Sequence, residues 1–308
     1  MRIGLVSVDS HNYINYALAK ISAYHKSRGD SVEWADPMFG EYDKVYMSKI
    51  FTFTPDDTNC YNTKEVECGG TGYGDYTKVL PEEIDRLQPD YSLYPEIDDK
   101  TAYGFLTRGC PNRCPWCLVP MKEGNVKPYM TIDEISQNGK RNHLTLMDNN
   151  VLASDYGLEQ IEIASKKGIY LDFDQGLDAR LITNDIAKLL ASCKWTNYIR
   201  VACDQKSQMK YVENALHLLR SYGYKKEIFV YCLLKDLEES YDRMKWIYQF
   251  KGDLTPHCQG YIDFSGKKKL PEWQQDMMRW ANRRWFYKSC FFDEFEPRKG
   301  FKCKEYLK

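Results

Sequence analysis

Between residues 102 and 264 short apolar runs alternate with segments of helical spacing, and this alternation restricts the fold more than any other feature of the chain. The runs at 103–106, 143–147, 170–174, 198–202, 228–233 and 260–264 have the length and composition of buried strands. Between them, 131–137, 154–167, 184–191, 207–222 and 237–250 carry apolar residues at three- and four-residue intervals, with Thr131 and Asp155 suited to cap helices. Parallel strands require crossovers of this length. The predicted class is therefore α/β, and six β/α units fit a partial (β/α)6 TIM-type barrel whose chemistry lies at the C-terminal ends of its strands.

A second, smaller alternation precedes it. Residues 2–8 read as a buried strand, and 12–28 place Ile14, Leu18, Ile21 and Tyr24 at helical spacing before Gly29 and Asp30 end the helix. Further short strands are predicted at 32–34, 45–48 and 66–68, the last running into the turn Gly69-Gly70-Thr71-Gly72, and a short helix at 80–87. This pattern suits a Rossmann-like module over 1–90. Residues 91–100, with Pro95 and several acids, read as a linker, 101–264 as the partial barrel, and 265–308 as a helical, aromatic and basic tail with a helix over 271–285. Charge follows the same division: the first hundred residues are acidic, the middle is balanced, and the tail holds twelve Lys or Arg against six acids. The net charge is -1, no apolar run reaches membrane-spanning length, and the first ten residues enter a strand pattern directly. The expectation is a cytoplasmic protein without membrane contact.

The eleven cysteines are an odd number, which suits a secreted disulfide framework poorly. Cys110, Cys114 and Cys117 form a C-x3-C-x2-C run directly after the first strand of the larger unit. Structural zinc sites usually join two close-spaced elements to gather four ligands, and no second C-x2-C exists here. Three thiolates from one loop suit a [4Fe-4S] cluster that leaves one iron open to an outside ligand. Cys193, Cys203, Cys232, Cys258, Cys290 and Cys303 lack ligand spacing. Cys203 and Cys232 read as buried apolar residues.

The stretch Gly104-Phe-Leu-Thr-Arg-Gly-Cys110-Pro-Asn-Arg-Cys114-Pro-Trp116-Cys117 resembles the first strand and cluster loop of the radical S-adenosylmethionine (SAM) enzymes, whose signature is C-x3-C-x-φ-C with an aromatic φ, here Trp116. The resemblance covers residues 101–264. It implies that the open iron chelates SAM and that one electron, from an external reductant of flavodoxin or ferredoxin type, releases a 5'-deoxyadenosyl radical that takes a hydrogen from the substrate. Trp116 would pack beside the adenine, shield the cluster, or both. Where the family holds the SAM amino group with a Gly-Gly-Glu-Pro-like segment, this chain has Met147-Asp148-Asn149-Asn150, which keeps polar acceptors but lacks the glycines and the Glu. Asp148, Asn149 and Asn150 are thus SAM-binding candidates, with a turn or helix cap as the other reading. The third strand ends in Asp174-Gln175-Gly176-Leu177-Asp178-Ala179-Arg180, where Gln175 or Arg180 suits the SAM carboxylate or ribose and Asp178 suits orienting Arg180, a simple salt bridge being the alternative. Arg200 and Asp204, on and after the fourth strand, are further candidates of this kind, and His257, ahead of the sixth strand, reads as a satisfied loop histidine, with lining of the cavity as the other reading.

A small α/β module before such a barrel resembles the cobalamin-dependent radical SAM enzymes and, more distantly, the methylthiotransferases. Asp9-Ser10-His11 matches part of a cobalamin-ligating Asp-x-His-x-x-Gly pattern, with Ile14 in place of the glycine, and the glycine-rich turn lies where the nucleotide tail of cobalamin would enter. Cobalamin is therefore a candidate cofactor, beside a degenerate domain that shapes the substrate site or binds a partner. Cys60 and Cys68 supply two of the three ligands of a methylthiotransferase's second cluster, so that reading needs a histidine to complete the set, and a cobalamin-dependent methyltransferase or methylthiotransferase-like enzyme is the alternative activity. The tail interleaves Trp273, Trp280, Trp285, Phe286, Tyr287 and further aromatics with cations, which suits stacking on bases. The expected activity is SAM cleavage followed by modification of a nucleobase or nucleotide. A small metabolite, a peptide, or a non-catalytic iron-sulfur scaffold are the alternatives.

Overall fold

The computed structural model describes residues 1–10, 13–263 and 269–308. The described residues form two compact units, one of residues 1–99 with 262–263 and one of 100–261 with 269–308. His11 of the cobalamin-like pattern, and Phe264 with Lys267 and Lys268, lie outside the described residues.

In the first unit, β1 (Arg2–Ser7), β2 (Ser31–Trp34), β3 (Lys44–Ser48) and β4 (Val66–Gly69) form a parallel sheet in the order β2-β1-β3-β4. Helix α1 (Tyr16–Ser27) starts later than the periodicity predicts, because the Asn15 side chain accepts from the Leu18 amide and sets the cap. Ile3, Leu5, Leu18 and Ile21 then meet in a core cluster. Each such side chain contributes about 1.5–3 kcal/mol through loss of contact with water. The stretch predicted as a linker belongs to this unit: Tyr94 is buried and its hydroxyl accepts from the Asn15 amide at 3.0 Å.

The second unit follows the predicted alternation. Its strands are β5 (Thr101–Gly104), β6 (His143–Leu146), β7 (Tyr170–Phe173), β8 (Arg200–Ala202), β9 (Ile228–Leu234) and β10 (Leu254–Gly260). They occur as two parallel sheets instead of one continuous barrel. One runs Lys194–Trp195, β7, β6, β5, and the other β8, β9, β10. A parallel bridge between Leu177 and Val201 joins the end of β7 to β8. Helices α2 (Asp155–Lys167), α3 (Asn184–Ser192), α4 (Met209–Ser221) and α5 (Leu237–Gln249) are the crossovers, with caps from Ser154, Thr183 and Asp236. Ser154, not Asp155, thus caps α2.

Two predicted elements move. The last strand lies at Leu254–Gly260 rather than 260–264. Pro256 argues against a strand interior, yet β10 is the outer strand of its sheet, where a missing N–H is tolerated. The tail helix is two helices, α6 (Glu272–Ala281) and α7 (Arg284–Ser289). Between them Asn282 takes the Cys258 amide at 2.7 Å and donates to the Cys258 carbonyl at 2.8 Å, covering the free edge of β10. No described helix is long and apolar enough to cross a membrane.

Candidate functional site

The loop that follows β5 carries all three motif cysteines, each half-buried and unpaired. Its entry is fixed from beneath. The fully buried Asp148 carboxylate, just past β6, accepts from the Leu106 amide at 3.0 Å and from the Thr107 amide and hydroxyl at 2.6 and 2.7 Å. Burial pushes its pKa up to about 6 against the pull of those three donors. Arg108 then pairs with Glu123 through two bonds, Nε at 3.0 Å and Nη2 at 2.6 Å, while Glu123 also accepts from the Gly109 amide and from Asn149 Nδ2, each at 2.9 Å. Gly109 has φ +84°, and a Cβ there would stand 2.3 Å from the Asn125 carbonyl oxygen, so no other residue fits the closure of the loop. The Cys110 amide completes it with a 3.0 Å bond to the Gly124 carbonyl.

Around the sulfurs the groups are polar. Asn150 is buried, and its amide donates toward Cys110 Sγ at 3.6 Å and Asp178 Oδ2 at 3.3 Å. Asp178 also accepts from Asn112 at 3.1 Å and holds Arg180 by Nε at 2.8 Å and Nη2 at 2.6 Å. Arg180 depresses the Asp178 carboxyl against the effect of burial, and its guanidinium lies within electrostatic range of Cys110 and Cys114. Burial raises the thiols of Cys114 and Cys117. Such thiols bind metal only after losing a proton, and the nearby Arg180 favours that loss at Cys114.

The sequence-predicted residues therefore divide. Asn112, Asn150, Asp178 and Arg180 form one network against the cysteine loop, Asn112 being a member that sequence reasoning missed because a single Asn inside a loop carries no pattern. Asp148 and Asn149 instead serve the loop's own backbone and Glu123. Gln175 is exposed and takes no part in the network among the described residues. Arg200 is committed to Asp172. Trp116 meets Lys235 and Asp204 rather than open space. His257, expected in a loop, sits on β10, edge-on to Tyr231 at 5.4 Å.

Among the described residues no group of three or more His, Cys, Asp or Glu is gathered as a single metal ion requires. A cubane makes a different demand, since each thiolate binds its own iron and the sulfurs stand apart. The buried Oδ1 of Asn150, whose Nδ2 donates toward Cys110, has no hydrogen-bond partner among the described residues. An orphaned buried acceptor at that point fits an incoming N–H donor such as the amino group of SAM.

In the smaller unit, the features predicted for cobalamin have local partners. Asp9 accepts from the Ile50 and Phe51 amides at 2.9 and 2.8 Å. Gly70 has φ +99°, and a Cβ there would stand 2.3 Å from the Lys49 carbonyl oxygen, so the glycine lets two backbone segments touch. Of the tail aromatics, Trp280, Tyr287, Phe292 and Phe295 are core, while Trp273, Phe286, Phe291, Phe301 and Tyr306 are half-buried. Trp280 is buried and packs edge-on against Tyr287 and tilted against Phe292, both also buried, while Trp285 is mostly exposed. A base-stacking platform is thus not displayed by these three rings.

Fold and site define a parallel α/β protein with a three-cysteine loop at the C-terminal edge of a sheet. No protein-family model matches the chain, and no curated protein matches it in sequence. Among solved structures, the crystal structure of methylornithine synthase is similar to it at 12% identity and a TM-score of 0.42, covering 70% of this chain and 72% of that one. That overlap is too slight to fix either fold or activity.

Proposed function

We propose that this chain is a radical SAM enzyme whose Cys110, Cys114 and Cys117 hold a [4Fe-4S] cluster, with the two parallel sheets acting as the arc of a partial (β/α)6 barrel. The observation that carries the reading is the loop that presents three half-buried cysteines, with Asn150 donating toward Cys110 through Nδ2 and keeping its Oδ1 unpartnered. With SAM on its open iron, such a cluster supplies a carbon-centred radical able to remove hydrogen from an unactivated carbon. The residues of the chain perform the remaining tasks. Asn150 accepts from the SAM amino group, while Arg180, oriented by Asp178, offers its outer N–H groups to the SAM carboxylate. The Arg108–Glu123 pair and Asp148 keep the loop rigid, so that the three sulfurs need little reorganisation to take up iron.

The substrate reading shifts with the tail. Trp280, Tyr287 and Phe292 are core and do not offer a face on which a nucleobase could stack, which moves the reading toward a small metabolite. The test of the metal centre is Cys114→Ala: after anaerobic iron and sulfide reconstitution, the variant should lose the broad visible iron-sulfur absorption while its far-ultraviolet circular dichroism stays that of the wild type. Retention of the full absorption by Cys114→Ala overturns the assignment.

A further inference from the structure

Trp116 stands between two of the proposed cluster ligands, and two opposite charges meet at its ring. The Lys235 ammonium, just past the end of β9, lies 3.2 Å from the centre of the Trp116 ring. At the ring edge Asp204, just past β8, interacts with the indole N–H, the only donor that ring has, and accepts from the Leu233 amide at 2.9 Å. Both charged residues are half-buried. The strand ends that carry them are fastened by Arg243, a fully buried guanidinium on α5 that donates to the Cys203 carbonyl at 2.6 Å and the Leu233 carbonyl at 2.7 Å. The Asp204 carboxylate is thereby held at the strand ends.

Lys235 lies within electrostatic range of Cys114, and Asp204 of both Cys114 and Cys117. Partly desolvated charges at such range act on a neighbouring centre with little screening. We propose that Lys235 and Asp204, which meet at Trp116, are positioning residues that set the reduction potential of the cluster, Lys235 raising it and Asp204 lowering it. The proposal rests on the reading in which Cys110, Cys114 and Cys117 hold that cluster. Adding an electron makes the cluster more negative, so a fixed cation favours the reduced form and a fixed anion opposes it. Cation–π contact with Lys235 also occupies one face of Trp116, which makes the ring a clamp for the loop rather than an open stacking surface.

The experiment compares wild type, Lys235→Met, Asp204→Asn and Lys235→Arg. Each is reconstituted anaerobically, assayed for iron and sulfide per chain, and titrated to its midpoint potential by electron paramagnetic resonance without SAM. The expected result is a lower potential in Lys235→Met, a higher one in Asp204→Asn, and a near-native one in Lys235→Arg. A purely structural role for the pair would move the first two variants in the same direction or leave both unmoved, and either result at full iron content overturns the proposal. Should Lys235→Met load poorly, Asp204→Asn decides alone, and a potential at or below that of wild type overturns it. A wild type that takes up no iron and sulfide overturns the cluster reading itself, a failure distinct from unshifted potentials.

Discussion

Replacing Asp148 by Asn should change the pH dependence of folding stability in a direction that the buried carboxylate dictates. Asp148 is fully enclosed and faces three donors, the Leu106 amide and the Thr107 amide and hydroxyl. Its carboxyl ionises at about 6, against 3.8 for an unperturbed one, because burial outweighs those donors. Between these two values the folded chain retains a proton that the unfolded chain has lost. The stabilisation from this group is therefore full at low pH and declines as pH rises through the folded value, by about 3 kcal/mol for a separation of this size. Asn has no such titration, although its NH2 must face one of the three donors, which costs about 1–3 kcal/mol. Urea unfolding of the metal-free protein at a series of pH values should thus show wild type well ahead near pH 4, the gap closing by about 2–3 kcal/mol toward about pH 8. Parallel pH profiles for wild type and Asp148→Asn, or a gap that widens with pH, would refute the reasoning.

Three further outcomes follow from particular contacts. Arg243→Met removes a buried cation that serves two strand-end carbonyls and Glu239, and should lower unfolding stability by about 3–5 kcal/mol in urea. Trp280→Ala, which empties the centre of the aromatic tail core, should cost about 3–5 kcal/mol in the same assay, whereas the exposed Trp285→Ala should cost less than about 1 kcal/mol. Asn150→Ala should weaken SAM binding to the reconstituted protein by roughly tenfold in calorimetry, corresponding to about one hydrogen bond, while leaving iron content unchanged.

Much of this was legible in the sequence because period and spacing are local properties. Strand and helix order in both units follows from apolar periodicity, and the three cysteines announce a shared loop whatever the fold around them. The departures arose where a distant partner decides the outcome. Pro256 marks an unlikely strand until the sheet order puts it on an outer edge, and the break at Asn282 is explained only by the edge of Cys258 that it covers. The polar segment Asp148-Asn149-Asn150 offered three equivalent candidates. The fold separates them, because two turn to the loop backbone and Glu123 while Asn150 donates toward Cys110 and keeps an unused acceptor. The aromatic tail pointed toward base stacking by composition alone, and composition does not distinguish a displayed ring from a buried one.

The most direct test of the radical SAM account is the fate of SAM itself. The reconstituted protein, reduced with dithionite under anaerobic conditions and incubated with SAM, should release 5'-deoxyadenosine, and Cys110→Ala prepared in the same way should release none. A wild-type protein carrying about four irons per chain that leaves SAM intact would contradict the account.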